Sequence, residues 1–392
     1  IAMSRAQTVL TSMVREGFID NLQKNNALNS ELELKQIKKS YNNNQYFVDA
    51  VLEELNTIYG PELVSSGGIR VFTTLNSKLQ KRAEEDALHH LEFLEKKIVP
   101  REKKLQVAAV TIDNKNGAIR VMLGGKNYGR SQFNRALSTN RMIGSSFKPF
   151  VYLTAMQKLG FHPGTVLVDE PTVFKLPHNK KWEPANFNDE YMGPVVLKKA
   201  FSKSLNIISA KLIFKTTPTE VVKTARKFGF KSSLTKNFSL SLGATGASPF
   251  ELATAYSVIA NLGSYKAPFY VSKIEDYQGN ILYEHFVEEE KRFEPLDIYP
   301  LLDMMKGVMD NGSGRVIRRM GFKYPAGGKT GTTNDFRDAW FTGFTPDLTT
   351  SVWIGYDDNV SMLRPNEKGV TGAHAAAPIW SLIMAEALDK AD

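Results

Sequence analysis

The sequence predicts an α+β fold, in which strands far apart along the chain join into one antiparallel sheet flanked by helices. Two apolar, β-branched runs at 105–113 and 118–125, joined by the turn NKNG, are typical of a β-hairpin. Residues 196–262 show mostly helical spacing of apolar side chains, and residues 329–358 contain three strand-like runs with tight turns. A hairpin early, helices in the middle and a strand meander late together indicate this fold class.

The composition indicates a folded globular chain. Hydrophobic residues make up 42% of the 392 residues and charged residues 23%, which excludes disordered, collagenous and low-complexity classes. No apolar run reaches the 18 residues that a membrane span requires, so the sequence predicts none. At roughly 100–200 residues per domain, the length allows two or three domains.

The balance of charged residues is basic, and cysteine is absent. Lys and Arg number 50 against 41 Asp and Glu, a net charge of +9, which favours anionic surroundings such as nucleic acid, phospholipid or an acidic polymer. We expect no nucleic-acid partner, because no recognition motif accompanies the charge. The lack of cysteine excludes a disulfide scaffold and a thiol nucleophile, and the six His show no paired ligand spacing, so we expect no metal and no cofactor.

The first predicted elements are a helix, a polar linker, a short helix and a strand. Residues 4–19 have apolar positions at helical spacing, whereas residues 20–45 are polar and rich in Asn. A short helix is predicted over 47–55, and the alternating run 67–75 is predicted to be a strand. Because the chain begins at Ile1 inside a helical pattern, we expect it to be a piece of a longer protein.

The later elements follow from caps, turns and apolar periodicity. A helix with one apolar face is predicted to be capped by Asn76 or Ser77 and to end before Pro100. The pattern turns helical again over 144–159. A second hairpin is expected to turn at 279–280, and a final helix to cover 378–388.

The first candidate for chemistry is the S-x-x-K motif formed by Ser145 and Lys148. A serine hydroxyl is a weak nucleophile that needs an adjacent base, and a spacing of three on a helix puts both side chains on one face. Gly144 permits a sharp turn before the serine, and a helix N-terminus favours developing negative charge. Alone the motif is weak evidence, since Ser233 and Lys236 form a second match.

Two further motifs follow Ser145 in a fixed order. In Ser204-Leu205-Asn206, the hydroxyl can relay a proton and the amide can orient a lysine and a substrate carbonyl. In Lys329-Thr330-Gly331-Thr332, the lysine and hydroxyls can hold a carboxylate, and Gly331 lets a substrate backbone approach the strand. Each motif alone is weak or moderate evidence, but the three in this order are strong evidence for acyl-transfer chemistry on a serine.

This ordered set is the signature of class A β-lactamases and penicillin-binding proteins. The chain resembles the transpeptidase half of a class A, bifunctional penicillin-binding protein, a peptidoglycan synthase. The resemblance covers residues 67–388 and includes GGKNYGRSQFNRA, LGATGASPFELATAYSVIAN and AGGKTGTTNDFRDAWFTG. Residues 5–19 resemble the end of that family's glycosyltransferase domain. The sequence departs from the family at Met142-Ile143, which stand where Gln-Pro is usual.

The resemblance implies a penicillin-binding transpeptidase or serine β-lactamase-like fold, with a central antiparallel sheet flanked by helices. Residues 1–30 would be a remnant of the glycosyltransferase domain, 31–66 a linker, and 67–392 the transpeptidase domain. We then expect no glycan-polymerising activity from this chain and a membrane anchor upstream of it. The implied location is the extracytoplasmic face of the bacterial cytoplasmic membrane, and the implied partners are stem peptides ending in D-Ala-D-Ala and β-lactam antibiotics.

The resemblance also implies a role for each motif residue. Ser145 would attack the carbonyl of the penultimate D-Ala, and Lys148 would accept the serine proton. Ser204, helped by Lys329, would relay a proton to the leaving amine. Asn206 would hold Lys148 and the substrate amide. An amine from a second stem peptide would then resolve the acyl-enzyme, whereas β-lactams would stay attached to Ser145.

The remaining implied residues bind the substrate. Thr330 and Thr332 would hold its terminal carboxylate, and the backbone N–H groups of Ser145 and Thr332 would form the oxyanion hole. Trp182 and Asn186 are expected in the substrate cleft, and Phe187 and Tyr191 are further candidates for lining it. Core packing is an equally good interpretation of the three aromatic residues.

Other functions fit the same motifs. A β-lactamase of class A would need a Glu-containing loop between the second and third motifs, whereas the nearest look-alike, 183–186, precedes Ser204. A D,D-carboxypeptidase would differ only in using water as the acceptor. A β-lactam sensor would be acylated without peptidase activity, and a wall-binding module would not be acylated at all.

Overall fold

The structure is a computed structural model, and it describes residues 2–30, 44–176, 179–365 and 369–389. Two units make up the chain, residues 1–41 and residues 42–392. The smaller unit contains two helices, and the larger unit contains the strands and the remaining helices. Within the ranges described, no helix combines the length and the apolar character that crossing a membrane requires.

The α-helices range from single turns to five turns. In chain order they are α1 (Ala2–Arg15), α2 (Asn21–Asn29), α3 (Gln45–Tyr59), α4 (Pro61–Ser66), α5 (Ser77–Glu95), α6 (Arg135–Ser138), α7 (Lys148–Leu159), α8 (Leu197–Lys203), α9 (Asn206–Thr216), α10 (Pro218–Lys227), α11 (Pro249–Ala260), α12 (Pro295–Asp310), α13 (Val316–Arg319) and α14 (Ala376–Asp389). Short 3-10 turns cover Gly144–Phe147, Phe238–Leu242 and Asn334–Phe336.

The strands fall into one central sheet and several small ones. In chain order they are β1 (Ile69–Thr73), β2 (Gln106–Asp113), β3 (Ile119–Leu123), β4 (Arg141–Met142), β5 (Val166–Asp169), β6 (Phe174–Lys175), β7 (Lys181–Trp182), β8 (Gly193–Val196), β9 (Gly246–Ala247), β10 (Ser264–Lys266), β11 (Val271–Asp276), β12 (Ile281–Glu284), β13 (Glu289–Lys291), β14 (Gly327–Thr332), β15 (Asp338–Phe344) and β16 (Leu348–Gly355).

The central sheet has five strands in the order β14-β15-β16-β2-β3, and all neighbours are antiparallel. The β2–β3 hairpin comes from the early part of the chain and the β14–β15–β16 meander from the late part. They join where β16 pairs with β2 along its whole length, from Leu348 opposite Asp113 to Gly355 opposite Gln106. The predicted α+β class with a central antiparallel sheet is therefore confirmed.

Both faces of the central sheet are buried against helices. Along β2, Ala108, Val110 and Ile112 belong to one apolar core, with residues of α7 to α12. Val107 and Ala109 belong to the other core, with residues of α5 and α14. This alternation is the period of two that a strand imposes, and it sandwiches the sheet between two helical layers.

Several local predictions are confirmed. The side chain of Asn76 accepts a hydrogen bond from the backbone N–H of Leu79 and so caps α5. The predicted strand 67–75 contains β1, which pairs with β11, and β11 and β12 form the hairpin predicted to turn at 279–280. The final predicted helix lies within α14. These elements were readable because their turn and cap residues act locally.

Helices α2 and α12 were not predicted. Helix α2 lies in the segment predicted to be a polar linker, because Asp20 and Gln23 form a capping box that compensates for the missing apolar face. Helix α12 was hidden by Pro295 and Pro300, yet its first proline occupies the first turn, where the missing N–H costs nothing. The remaining part of the predicted linker, residues 31–43, lies outside the described residues.

Candidate active site

Ser145 lies in the 3-10 turn Gly144–Phe147, which leads directly into α7. Gly144 has φ +53°, and a Cβ on it would lie 2.6 Å from the carbonyl oxygen of Thr332. Only glycine therefore allows the serine turn to lie against the end of β14. The serine itself is half-buried and lines a cavity.

Lys148 is fully buried at the start of α7. Its ammonium nitrogen Nζ donates hydrogen bonds to the carbonyl oxygen of Ser204 at 2.7 Å and to Oδ1 of Asn206 at 2.8 Å, and the Ser204 hydroxyl lies 3.3 Å away. Burial, followed by the nearby charge of Lys329, holds the pKa of Lys148 well below its usual value. A neutral lysine can act as a base at neutral pH.

Ser204 ends α8 in the left-handed conformation, with φ 60° and ψ 38°. This conformation turns the chain sharply between α8 and α9 and directs both the carbonyl and the hydroxyl of Ser204 toward the lysines. Nζ of Lys329, on β14, donates to the Ser204 hydroxyl at 2.8 Å. Burial lowers the pKa of Lys329 from 10.5 to about 7. The Ser204 hydroxyl thus lies between two buried lysines.

A count of donors shows what Lys148 can do chemically. A neutral amine has two N–H donors and one lone pair. The two donors are taken by the Ser204 carbonyl and by Oδ1 of Asn206. Nζ has one further neighbour, the Ser204 hydroxyl at 3.3 Å, which is a longer contact than the other two. With no closer partner among the described residues, the lone pair can accept a proton, which is what a serine nucleophile requires of its base.

The cavity beside this cluster has a volume of about 610 Å³. It is lined by predicted site residues from three separate parts of the chain. They are Ser145, Asn186, Ser204, Asn206, Thr330 and Thr332. A second cavity of about 600 Å³, lined by Arg226, Tyr265 and Arg292, holds none of them.

Of the predicted substrate-binding residues Trp182, Asn186 and Gly331, the structure places only Asn186 at the cavity. Trp182 is not among the residues that line the cavity, and its ring packs against Phe174 at 5.3 Å between centroids. Gly331 does not line the cavity either, because a Cβ there would lie 2.5 Å from the carbonyl oxygen of Ile143. The missing side chain of this glycine therefore admits the serine turn, and approach of a substrate backbone to the strand stays a prediction. Asn186 lines the cavity, but its polar atoms bond to protein groups.

Ser313 and Phe336 are among the cavity residues that were not predicted from the sequence. The hydroxyl of Ser313 lies 2.6 Å from that of Thr330, so it orients a group predicted to hold a carboxylate. Phe336 meets Phe187 across the cavity, edge to face, at 5.7 Å between ring centroids. Ser313 sits in an Asn-Gly-Ser-Gly turn that reads as an ordinary loop, so no sequence signal distinguished it.

The second S-x-x-K match does not form a comparable site. Ser233 and Lys236 lie in an irregular segment, where a spacing of three puts no two side chains on one face. Neither residue lines the cavity. Among the described residues, no group of three or more His, Asp or Glu is placed to hold a metal ion.

Burial of Lys329 makes the free energy of unfolding depend on pH. Its pKa is about 7 in the folded protein and 10.5 when exposed, so unfolding takes up a proton between these values and stability rises with pH. Lys329→Met removes this dependence. We expect the gain in stability caused by Lys329→Met to be smaller at pH 9 than at pH 7 by roughly 2 kcal/mol.

Denaturant unfolding of wild type and Lys329→Met at the two pH values measures this change. The comparison between the two proteins cancels the titrating groups that do not interact with Lys329. The pKa of Lys148, which the charge of Lys329 lowers, is expected to rise in Lys329→Met, and this rise is part of the measured difference. A gain in stability that stays constant or grows between pH 7 and pH 9 would contradict the lowered pKa of Lys329.

Comparison with known proteins agrees with this geometry. Residues 107–385 match the family model described as the penicillin binding protein transpeptidase domain. Penicillin-binding protein 1A of Aquifex aeolicus is 30% identical over 97% of this chain and 61% of its own length. Penicillin-binding protein 2D of Bacillus subtilis is 30% identical over 99% of this chain and 55% of its own. The chain thus spans about half to three fifths of these curated relatives.

Solved structures show the same fold. The crystal structure of penicillin-binding protein 1A from Haemophilus influenzae superposes with a TM-score of 0.80 at 24% identity, covering 100% of this chain and 77% of that one. The PonA1 protein from Mycobacterium tuberculosis in complex with penicillin V gives a TM-score of 0.77 at 24% identity, covering 89% of this chain and 94% of that one.

Proposed function

This chain belongs to the penicillin-binding protein transpeptidase family, and we propose that it cross-links peptidoglycan stem peptides through an acyl-enzyme on Ser145. The observation that carries the proposal is the buried Lys148, whose two N–H donors are engaged and whose lone pair has no described partner closer than the Ser204 hydroxyl at 3.3 Å. A base of this kind, three residues after a half-buried serine at the edge of a cavity, supports serine acyl transfer.

The proposed acylation proceeds through three proton transfers. Oγ of Ser145 attacks the carbonyl carbon of the penultimate D-Ala, and the serine proton moves to Nζ of Lys148. The C–N bond to the terminal D-Ala then breaks, and the Ser204 hydroxyl delivers a proton to the leaving amine. Lys329, bonded to that hydroxyl at 2.8 Å, replaces the proton. The product is an ester between Ser145 and the stem peptide, with free D-Ala released.

In the proposed deacylation, an amine attacks the Ser145 ester, and the proton transfers of acylation run in the reverse direction. The amine of a second stem peptide attacks the ester carbonyl, gives up a proton through the same groups and forms the cross-link, while Ser145 regains its proton. Thr330 and Thr332 hold the substrate carboxylate in this proposal. The backbone N–H groups of Ser145 and Thr332 stabilise the tetrahedral oxyanion. β-Lactams form the same ester and are released slowly.

We also propose how the activity is distributed along the chain. Residues 1–30 would be the end of a glycosyltransferase domain and 31–66 a linker, leaving transpeptidation to residues 67–392. The chain itself would then polymerise no glycan. The enzyme would work at the extracytoplasmic face of the cytoplasmic membrane, held there by an anchor outside this sequence, because its proposed substrate is assembled there.

A cross-linking assay tests the proposed function. The purified chain is mixed with a peptide ending in D-Ala-D-Ala and with an amine acceptor, and released D-Ala and the cross-linked product are measured. We expect both products, and we expect prior treatment with penicillin to block both. Release of D-Ala without transfer would instead indicate a carboxypeptidase.

A β-lactamase, a β-lactam sensor and a wall-binding module would each behave differently toward penicillin and the peptide. Rapid turnover of penicillin would indicate a β-lactamase. Acylation by penicillin without any peptide reaction would indicate a sensor, and no acylation would indicate a wall-binding module. Each of these three outcomes contradicts the proposed transpeptidase.

A further inference from the structure

Asp169 is a buried carboxylate outside the three motifs. It lies at the end of β5, is 0% exposed, and forms no ion pair among the described residues. Its oxygens accept hydrogen bonds from Nδ2 of Asn186 at 2.9 and 3.0 Å and from the backbone N–H of Met192 at 3.0 Å. A charge held in the interior by neutral donors alone needs a reason for being there.

Asn186 carries the effect of this carboxylate to helix α9. Its Nδ2 also donates to the carbonyl of Glu190 at 2.9 Å, and its Oδ1 accepts from the backbone N–H groups of Asn206 at 2.8 Å and Ile207 at 3.2 Å. These N–H groups belong to the first turn of α9, which has no partner of its own for them. Because an ionised carboxylate can only accept, it forces the amide nitrogen of Asn186 inward and the oxygen toward α9.

Asn206 extends the chain of hydrogen bonds to the lysine. Its Nδ2 donates at 2.9 Å to the carbonyl of Ala185, the residue next to Asn186, and its Oδ1 accepts from Lys148 at 2.8 Å. The backbone and the side chain of Asn206 are thus both held by the Ala185-Asn186 segment. An unbroken path runs from Asp169 through Asn186 and Asn206 to Lys148.

We propose that Asp169 is a positioning residue for the acylation step: by fixing the Asn186 amide it holds Asn206 with Oδ1, rather than Nδ2, facing Lys148. This inference rests on the proposed function. With Oδ1 of Asn206 facing Lys148, the lysine donates both of its N–H groups to oxygen atoms, and its lone pair can accept the serine proton. With Nδ2 there instead, the asparagine would donate to that lone pair and block the base.

The variant Asp169→Asn tests the inference. The amide of the new side chain at position 169 can present a donor to Asn186, so Asn186 loses its fixed orientation. We expect the first-order rate constant of acylation by penicillin to fall about 10- to 100-fold, as for other groups that orient a catalytic group through an intermediary. The dissociation constant of the initial non-covalent complex should stay within about twofold, because Asp169 does not line the cavity. Glu170→Gln, which removes the neighbouring exposed carboxylate, should acylate like wild type.

A reciprocal exchange separates positioning from a merely structural role. In Asp169→Asn combined with Asn186→Asp, the new aspartate accepts from α9 and from the new asparagine. The Glu190 carbonyl loses its donor and faces a carboxylate oxygen instead, which is the cost of the exchange. We expect this double variant to acylate within about tenfold of wild type and faster than Asp169→Asn. If Asp169→Asn does not fold, the acylation rate of the folded double variant is compared with that of wild type alone, and a rate within about tenfold supports the inference.

A rate constant for Asp169→Asn equal to that of wild type would overturn the inference. So would a folded double variant that acylates no faster than Asp169→Asn. If Asp169→Asn does not fold, a folded double variant that acylates more than tenfold more slowly than wild type would overturn it. Failure of the proposed function looks different, because then the wild-type chain itself would not be acylated.

Discussion

The Ser145→Ala variant is expected to form no covalent adduct with penicillin, whereas wild type forms one adduct per chain. Alanine keeps the 3-10 turn but removes the only atom on that residue that can form the acyl bond. Since the proposed ester forms on this oxygen alone, we expect the acylation rate to fall by at least about 10³-fold. Intact mass spectrometry after incubation with penicillin measures the adduct directly.

Ser233→Ala is the matched control, because it removes the serine of the other S-x-x-K match. It should be acylated as fast as wild type, and peptide mapping should find the adduct on Ser145. An adduct that persists in Ser145→Ala, or one that maps to Ser233, would refute the proposed nucleophile.

The Lys148→Met variant is expected to be acylated about 10³-fold more slowly than wild type. Methionine fills a similar volume in the buried site but offers no lone pair basic enough to take the serine proton. The initial complex with penicillin should form normally, because Lys148 does not line the cavity. Stopped-flow measurement over a range of penicillin concentrations separates the first-order rate constant from that binding step.

Lys158→Met is the control for this substitution, since Lys158 lies on the same helix but is exposed and paired with Glu220. It should acylate like wild type. If Lys148→Met acylates within tenfold of wild type, another group must take the proton from Ser145.

Much of the fold was predictable because its signals are local. The NKNG turn, the Asn76 cap and the Gly279-Asn280 turn each determine a neighbouring element, and all three are where the sequence placed them. The order of strands in the central sheet was not predictable, since the pairing of β16 with β2 depends on the two cores that close over them. Helix α12 was missed because its two prolines are a local signal against a helix, whereas the packing of its apolar side chains in the core stabilises one.

The site was predictable where the order and spacing of the three motifs identify residues that meet in the folded chain. The structure brings Ser145, Lys148, Ser204, Asn206 and Lys329 to one cavity and its walls, as the motif order predicted, while their roles remain predictions. Supporting residues carry no such signal. The sequence around Asp169 is that of an ordinary strand end, and the sequence around Ser313 is that of an ordinary loop. Their hydrogen-bond partners, Asn186 and Thr330, lie elsewhere in the chain, so no local pattern marks either residue.

The pairing of β16 with β2 also governs how the chain can be made. A ribosome releases β2 long before residues 348–355 exist, so one edge of β2 lacks its partner strand during most of synthesis. Exposed edges of this kind attach to one another between molecules. The unfinished chain must therefore be kept unfolded or shielded until its last strand emerges, and a truncation before β16 would yield aggregating polypeptide instead of a smaller enzyme.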